Sequence, residues 1–403
     1  MEKMAAQEQN TSVALPTLES LWVENYRALH CLELKNLTRL TVLLGPNGSG
    51  KSTVFDVLAF LKDCFSLGLR FAWDKRGRFR EMRTRNRLGP IKFILNYREK
   101  PNHPLMTYYL AINETHKGPI VEEEWLQSQQ PKPNRLLHFR LGEGFVLSDD
   151  LSTEKPEKLD SAERLAVNTL GQLAKYPQMT ALRRFISDWH LSYLTVNQTR
   201  HLPEAGSQAY LSQTGDNLAN VIHYFREQHP EHLDLIKASL RRYVPRLEEL
   251  DIATLTDGRL LLLLKDAPFE QPVLAKYTSD GTLKMLAYLI MLHHPEQKPL
   301  IGFEEPENHL HPRLLPELSE ACRFATAKSQ LFVTTHSPFF INTLRAEELW
   351  VLYRNEQGLT QARRVQDMLG IKAFIAEGAL LGQLWIEGYF EVGDPLTNTG
   401  GPR

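Results

Sequence analysis

Short apolar runs broken by polar turns open the chain, and longer runs with helical spacing dominate its second half. "LWVENYRALHCLELKNLTRLTVLLG" (21–45) reads as two or three strands, the last being the apolar run Leu40–Leu44 before Gly45. In "KSTVFDVLAFLKDCF" (51–65), Val54, Leu58, Leu61 and Phe65 fall on one helical face. "IKFILNYRE" (91–99) and "LMTYYLAINET" (105–115) predict paired strands with "KPNHP" as the turn. Residues 126–165 are rich in Pro, Gln and charge and predict an irregular or inserted segment, whereas 160–245 has mostly helical spacing. "ELDIATLTDGRLLLLLKD" (249–266) is a hairpin pattern around Asp257-Gly258. A helix over 283–294, a strand over 300–303, a helix over 313–325, a strand over 331–334 and more helix follow.

Strand–loop–helix units thus sit at both ends of a chain without internal repeats. The expected fold class is α/β, a mixed sheet with flanking helices split by a mainly helical insertion; two independent domains are the alternative. The predicted divisions are a disordered tail (1–18), the first part of a head (19–125), the insertion (126–250), the second part of the head (251–370) and a C-terminal docking tail (371–403). The composition, 42% hydrophobic and 24% charged over 403 residues, is that of an ordinary globular protein. A net charge of −1 leaves no global field toward nucleic acid or anionic membrane, so any basic footprint is local. Cys31, Cys64 and Cys322 are odd in number and far apart. That argues against a disulfide framework or a cysteine zinc site and fits a cytoplasmic setting. No apolar run reaches the roughly 18–20 residues of a membrane span, and the polar N-terminus holds no apolar signal core.

Residues 45–52, "GPNGSGKS", match G-x-x-x-x-G-K-[ST] in full, with an apolar strand before them and an amphipathic helix after. Glycines 45, 48 and 50 let the backbone curl so that successive N–H groups face phosphate oxygens, and the following helix adds its positive dipole end. In this reading Gly45, Pro46, Asn47, Gly48, Ser49 and Gly50 wrap the phosphates of ATP, and Lys51 bridges the β- and γ-phosphates. The Ser52 hydroxyl ligates Mg²⁺ and Thr53 reaches the α-phosphate.

The motif alone locates no catalytic base. Downstream, the apolar "LIGF" runs into Glu304 and Glu305. Nucleotide hydrolysis needs one carboxylate at the metal and another about one water beyond the γ-phosphate, and adjacent residues at a strand end point opposite ways. Before them, "YTSDGTLKML" (277–286) opens a helix with a tight Ser/Gly turn, a second anion site. After them, "LFVTTHSP" (331–338) is a strand ending in His336, suited to bond the γ-phosphate or the attacking water.

The order P-loop, long insertion, S-D-G-T, E-E-P-E-x-x-L-H-P, T-H-S-P resembles the ABC-type ATPase head of the RecF/SMC branch. More narrowly, it is similar to the bacterial AAA-type core ATPases related to the OLD family, over residues 19–350. The resemblance implies an ABC-type P-loop NTPase head that hydrolyses ATP with Mg²⁺. Gly45–Thr53 would be Walker A; Glu304 and Glu305 would be Walker B, with Glu304 at the metal and Glu305 the general base. Ser279 and Gly281 would be the signature Ser and second Gly, Asn308–His311 the D-loop and His336 the switch histidine. Arg27 stands where related heads carry a basic residue near the nucleotide. Such heads dimerise head to tail, the signature of one closing on the γ-phosphate held by the other. Similar ATPases are encoded beside a TOPRIM-like or other nuclease in phage-defence loci, which implies an effector partner; the chain shows no nuclease motif of its own. Three departures stand out. Glu304 replaces the usual Asp, Asp280 replaces a signature glycine, and 66–92 holds no glutamine for a Q-loop.

Residues 70–92 carry nine Lys/Arg against Asp74 and Glu81, interleaved with Phe71, Trp73 and Phe79. That is the footprint of phosphate-backbone contact with DNA, or else a solvated face. His309 and His311 do not make the three or four convergent ligands of a zinc site. "SQTGDNLANVI" (212–222) reads as a helix N-cap. The aromatic tail 378–396 is either core or a partner's docking segment. The expected function is an ATP-gated DNA sensor or the regulatory subunit of a nuclease-containing anti-phage defence or DNA-repair complex. A transporter ATPase subunit and a slow nucleotide-locked scaffold are the rivals.

Overall fold

The structure, a computed structural model, describes residues 14–129, 132–147 and 153–393. Of the two expected tails, residues 1–13 and 394–403 lie outside the described residues. In chain order come β1 (Thr17–Glu24), β2 (Leu32–Leu34), β3 (Leu40–Leu44) and helix α1 (Lys51–Leu67). Short helices α2 (Leu69–Lys75) and α3 (Arg78–Met82) lead to β4 (Ile91–Arg98), β5 (Met106–Thr115), β6 (Gly118–Ser128), β7 (Asn134–Arg140), β8 (Glu143–Leu147) and β9 (Glu154–Lys158). Together they form an antiparallel sheet of order β2-β1-β4-β5-β6-β7-β8-β9.

The irregular segment expected over 126–165 is therefore corrected: it prolongs this sheet. Leu137, Phe139 and Val146 are buried at alternating positions, while Leu136 beside Leu137 is buried as well, and Arg140 pairs across the ladder with Glu143 and Glu143 with Lys158. The polarity that reads as a loop is the outer face of one-sided strands.

Next come α4 (Ala166–Leu170), α5 (Pro177–Ser187), β10 (His190–Ser192), α6 (Val196–Thr199), α7 (Leu218–Gln228) and α8 (Pro230–Tyr243). The expected hairpin is β11 (Leu247–Thr254) and β12 (Leu260–Asp266), with β13 (Val273–Leu274) beside it. Then follow α9 (Asp280–Leu292), β14 (Leu300–Glu304), α10 (Leu315–Ala325), β15 (Gln330–Thr335), α11 (Pro338–Ile341), β16 (Leu349–Arg354), β17 (Thr360–Arg364), α12 (Ile371–Ala376) and α13 (Leu381–Ile386). The helix at 218 starts without a side-chain cap, unlike the N-cap reading. Asn217 instead bonds Ser212 N, Gln208 and Tyr210 O and so ties down the loop before it.

The central sheet has order β10-β14-β15-β3-β16-β17, with β10, β14, β15, β3 and β16 parallel and β17 antiparallel to its neighbour. Strands from both ends of the chain meet here, as one split head. The physical reason is burial on two faces. Every residue of β3 and β15 is buried, so neither can be an edge or half-exposed strand. One face packs with α1 and α5 against the antiparallel sheet; the other packs against α7, α8, α9, α10 and the C-terminal helices. Among the described residues no helix is long and apolar enough to cross a membrane.

Candidate functional site

The C-terminal ends of β3, β14 and β15 lie side by side, the crevice where open parallel sheets bind ligands. Thr335 is level with Leu44, just before the P-loop, and Thr334 is level with Glu304. Three segments distant in sequence thereby bring their functional residues to one edge.

The P-loop wraps into α1, whose N-cap Gly50 sits at φ 109°. A side chain there would run into Thr360 as well as adopt a disfavoured backbone, so only glycine fits. The buried Lys51 amine donates to Gly45 O (2.8 Å) and Pro46 O (3.2 Å) and lies 3.8 Å from Glu305 Oε1. Burial pulls its pKa down, and Glu305, Glu307 and Glu304 pull the other way. Desolvation raises the Glu304 carboxyl, opposed by a hydrogen bond from Ser52, with Glu305 and Asp56 adding to the rise. Ser52 and Glu304 are thus neighbours, one hydroxyl and one carboxylate.

Glu305 leaves the strand at φ 42°, a left-handed conformation unusual for a non-glycine residue. Its amide is fixed by Thr334 O (3.0 Å) and Thr334 Oγ1 (3.1 Å), and its Oε2 accepts from Asn308 Nδ2 (3.3 Å). This turn swings the carboxylate toward Lys51 and to 3.7 Å from His336 Nδ1. Glu307, the third acid, is structural. Its buried Oε1 accepts from Thr335 Oγ1 (2.8 Å) and His336 N (2.7 Å) and lies 3.1 Å from His336 Nδ1. It therefore aims the imidazole of His336. Among the described residues Glu307 Oε2 and Ser49 Oγ are buried without a hydrogen-bond partner, unspent polar capacity beside the P-loop.

Several contributors escaped the sequence reading. Arg354, at the end of β16, donates to Gly48 O (2.7 Å), and Thr360 Oγ1 donates to Ser49 O (2.9 Å), so the β16–β17 hairpin clamps the P-loop from outside. No motif marks either residue; only strand order places them there. Asp56, one turn along α1 from Ser52, accepts from Tyr26 OH (2.7 Å) and Arg76 Nε (2.8 Å) and pairs with Arg27 (3.0 Å). Arg27 so held lines a cleft of about 620 Å³ with Ala28, Thr53, Arg83, Arg85 and Arg354. Tyr193 directly follows β10, where Ser192 is level with Phe303. Its ring meets Phe55 edge-on at 5.1 Å. A three-residue strand is too short to show a period, which is why this position was missed.

Ser279 and Gly281 do not join this cluster. They open α9, where Ser279 caps Thr282 N (3.3 Å), on a face shared with the D-loop. A Cβ on Gly281 would lie 2.9 Å from His309 O, and the buried Lys284 donates to Asn308 O (2.9 Å). His309 and His311 go separate ways: His309 lies 3.5 Å from Asp280, and His311 Nδ1 accepts from Arg313 N (3.2 Å).

The basic segment is less free than its composition suggests. Arg70, Lys75, Arg76, Arg78, Arg80 and Lys92 lie within ion-pair distance of Glu163, Asp63, Asp56 with Asp63, Asp74, Glu81 and Glu24 respectively. Trp73 and Phe79 are buried, leaving Phe71 exposed. Arg83, Arg85 and Arg87 form no ion pair among the described residues.

This arrangement defines a P-loop NTPase head of the ABC/SMC type, an ATPase. Residues 40–104 and 179–342, more than half of the chain, match the family described as "AAA domain, putative AbiEii toxin, Type IV TA system", and the chain belongs to that family. The match resumes at 179, inside the segment expected to be an insertion, in keeping with β10 joining the central sheet. The fold is similar to an SMC head bound to the C-terminal winged-helix domain of ScpA (TM-score 0.57, 12% identity, 86% of this chain and 97% of that one). It is also similar to an Smc head with an extended coiled coil bound to the C-terminal domain of ScpA, from Pyrococcus furiosus (TM-score 0.52, 10% identity, 90% and 100%). A stretch of 159 residues, 38% of the chain, is 26% identical to the tungstate uptake ATP-binding protein TupC of Campylobacter jejuni. The match spans 44% of that protein's length.

Proposed function

We propose that the chain hydrolyses ATP with Mg²⁺ as one half of a head-to-tail dimer and acts as the ATP-gated regulatory subunit of an effector complex. The observation that carries the chemistry is the convergence of Lys51, Glu305 and His336, with Ser52 and Glu304 paired beside them. In this reading Gly45–Thr53 and Lys51 grip the phosphates, Glu305 takes the proton of the attacking water, and His336, aimed by Glu307, bonds the γ-phosphate. A hydroxyl and a carboxylate suit Mg²⁺, which keeps most of its waters, so Ser52 and Glu304 would hold it. When bound, the metal would screen the phosphate charge. Lys51 bonded to P-loop carbonyls is a cation ready to transfer to an anion. Arg27 and the cleft around it receive the rest of the nucleotide.

Ser279, Gly281 and Asn308–His311 lie together on a partly exposed face, which supports their closing on the nucleotide of a second copy. The role follows from the partners that fit. The SMC heads of like fold are bound to ScpA domains, and the family's description names a toxin system; both favour a partner protein over a transporter. The transporter resemblance covers a smaller part of the chain. A DNA-sensing role would rest on Arg83, Arg85 and Arg87, since the other cations of 70–92 are paired. Glu305→Gln is expected to cut kcat by about 100-fold or more, retain ATP binding and accumulate an ATP-bound dimer. Equal, slow turnover by wild type and variant would sink the catalytic assignment. DNA stimulation of the full chain's ATPase at physiological salt would restore the sensor reading.

A further inference from the structure

We propose that Arg200 is a phosphate-binding residue acting in trans, on the γ-phosphate held by the P-loop of a second copy of this chain. This rests on the head-to-tail reading and adds to it a residue outside every motif.

Asp280 places a negative charge at the N-terminus of α9, where a phosphate would arrive. The structure answers that charge locally. Arg200, just after α6, donates through Nη2 to Asp280 Oδ1 (2.5 Å) and to Thr278 O (2.7 Å). His309 Nδ1 approaches the other carboxylate oxygen at 3.5 Å. The Arg200 fork is not exhausted by this. Its Nη1 makes no hydrogen bond among the described residues and the side chain is 27% exposed, whereas Nε is buried; a guanidinium carries five donors in a fixed plane. Asp280 therefore orients Arg200 while leaving donors to spare, and Thr278 O locks the same nitrogen to the signature turn.

The surroundings fit an incoming polyphosphate. Ser279, Asn308 and His309 are exposed on the signature and D-loop, and exposed Lys276 and Arg313 flank them. Lys276 and Arg313 make no ion pair among the described residues, and Asp280 is already matched. Among the described residues no hydrogen bond or ion pair links Arg200, Ser279 or Asp280 to residues 45–53, which are contacted instead by Glu304, Glu305, Arg354 and Thr360. The lost signature glycine is offset by an arginine that brings a charge-assisted phosphate contact through Nη1.

The test uses full-length Arg200→Ala and Lys51→Ala proteins, assayed alone and mixed. Each alone should lose ATPase activity by about 100-fold. Mixed, they should regain up to about a quarter of wild-type activity, because random pairing makes half the dimers heterodimers and each holds one composite site with both Lys51 and Arg200 intact. Arg200→Ala should still bind a fluorescent ATP analogue, and Arg200→Gln, which keeps hydrogen bonds to Asp280, should show the same defect and rescue. The double variant Arg200→Ala/Asp280→Asn should stay low. Wild-type activity in Arg200→Ala, recovery in the double variant, or no recovery on mixing would each overturn the assignment. The mass of Glu305→Gln with ATP tells the two ideas apart. If it stays that of one chain, the head-to-tail reading falls and takes the trans role with it. If it doubles while mixing restores nothing, Arg200 alone was misassigned.

Discussion

Glu124 should make the protein less stable as pH rises from about 5 to 8. The side chain projects from β6 into the core beneath α4 and is wholly buried. Its oxygens accept from Tyr108 OH (2.9 Å), Ala166 N (2.5 Å) and Val167 N (3.1 Å). Desolvation outweighs these three bonds and pushes the carboxyl from 4.5 up to about 7. Its neighbours do not titrate with it, since burial raises both Tyr108 and Cys64. Between those two values the folded chain keeps a proton that the unfolded chain has released, so stability falls with rising pH across that window and levels off above about 7. The difference corresponds to about 3 kcal/mol, most of it lost between pH 5 and 8. Buried His190 works the other way: its pKa lies near 3, so it opposes stability as pH falls below the ordinary histidine value. Urea unfolding across this pH range should be run on wild type and Glu124→Gln in parallel, which cancels the histidine contribution. The wild-type free energy should fall relative to the variant by up to about 3 kcal/mol. Parallel pH profiles, or a wild type that gains on the variant as pH rises, would refute a protonated Glu124 under α4.

Other outcomes follow from single contacts. Thr360→Val removes the donor to Ser49 O and should weaken nucleotide binding measured by titration, while costing about 1–2 kcal/mol of stability. Gly281→Ala sets a Cβ against His309 O at 2.9 Å. It should impair ATP-driven dimer formation, followed by light scattering, more than nucleotide binding by the single chain. Arg76→Ala leaves Asp56 and Asp63 without their shared buried partner. Chemical denaturation should show a loss of about 3–5 kcal/mol, a result not expected of a surface DNA contact.

The division between sequence and structure can be traced residue by residue. The P-loop, the paired acids and the strand-end histidine were legible because each is a local pattern whose backbone requirement is written in neighbouring residues. Glycine marks the curl of 45–50, and an apolar run marks each buried parallel strand. The hairpin at 249–266 was legible for the same reason, its turn being short and closed by Gly258 at φ 82°. The edge of the antiparallel sheet was not. Strands β7 and β8 bury only some of their side chains and β9 none, so this stretch resembles a loop, and nothing local says what lies beneath it. Nor could the sequence say that six cations of 70–92 are already matched, that Glu307 aims His336, or that Arg354 and Thr360 close on the P-loop. Arg200 is the extreme case, because its partner Asp280 lies far along the chain and neither residue belongs to a recognisable pair. Local order is dictated by backbone sterics and solvent burial, which act over a few residues. Which charges meet, and which stay free for a nucleotide or a second copy, is decided only when the strand order of the folded sheet brings distant segments within hydrogen-bond reach.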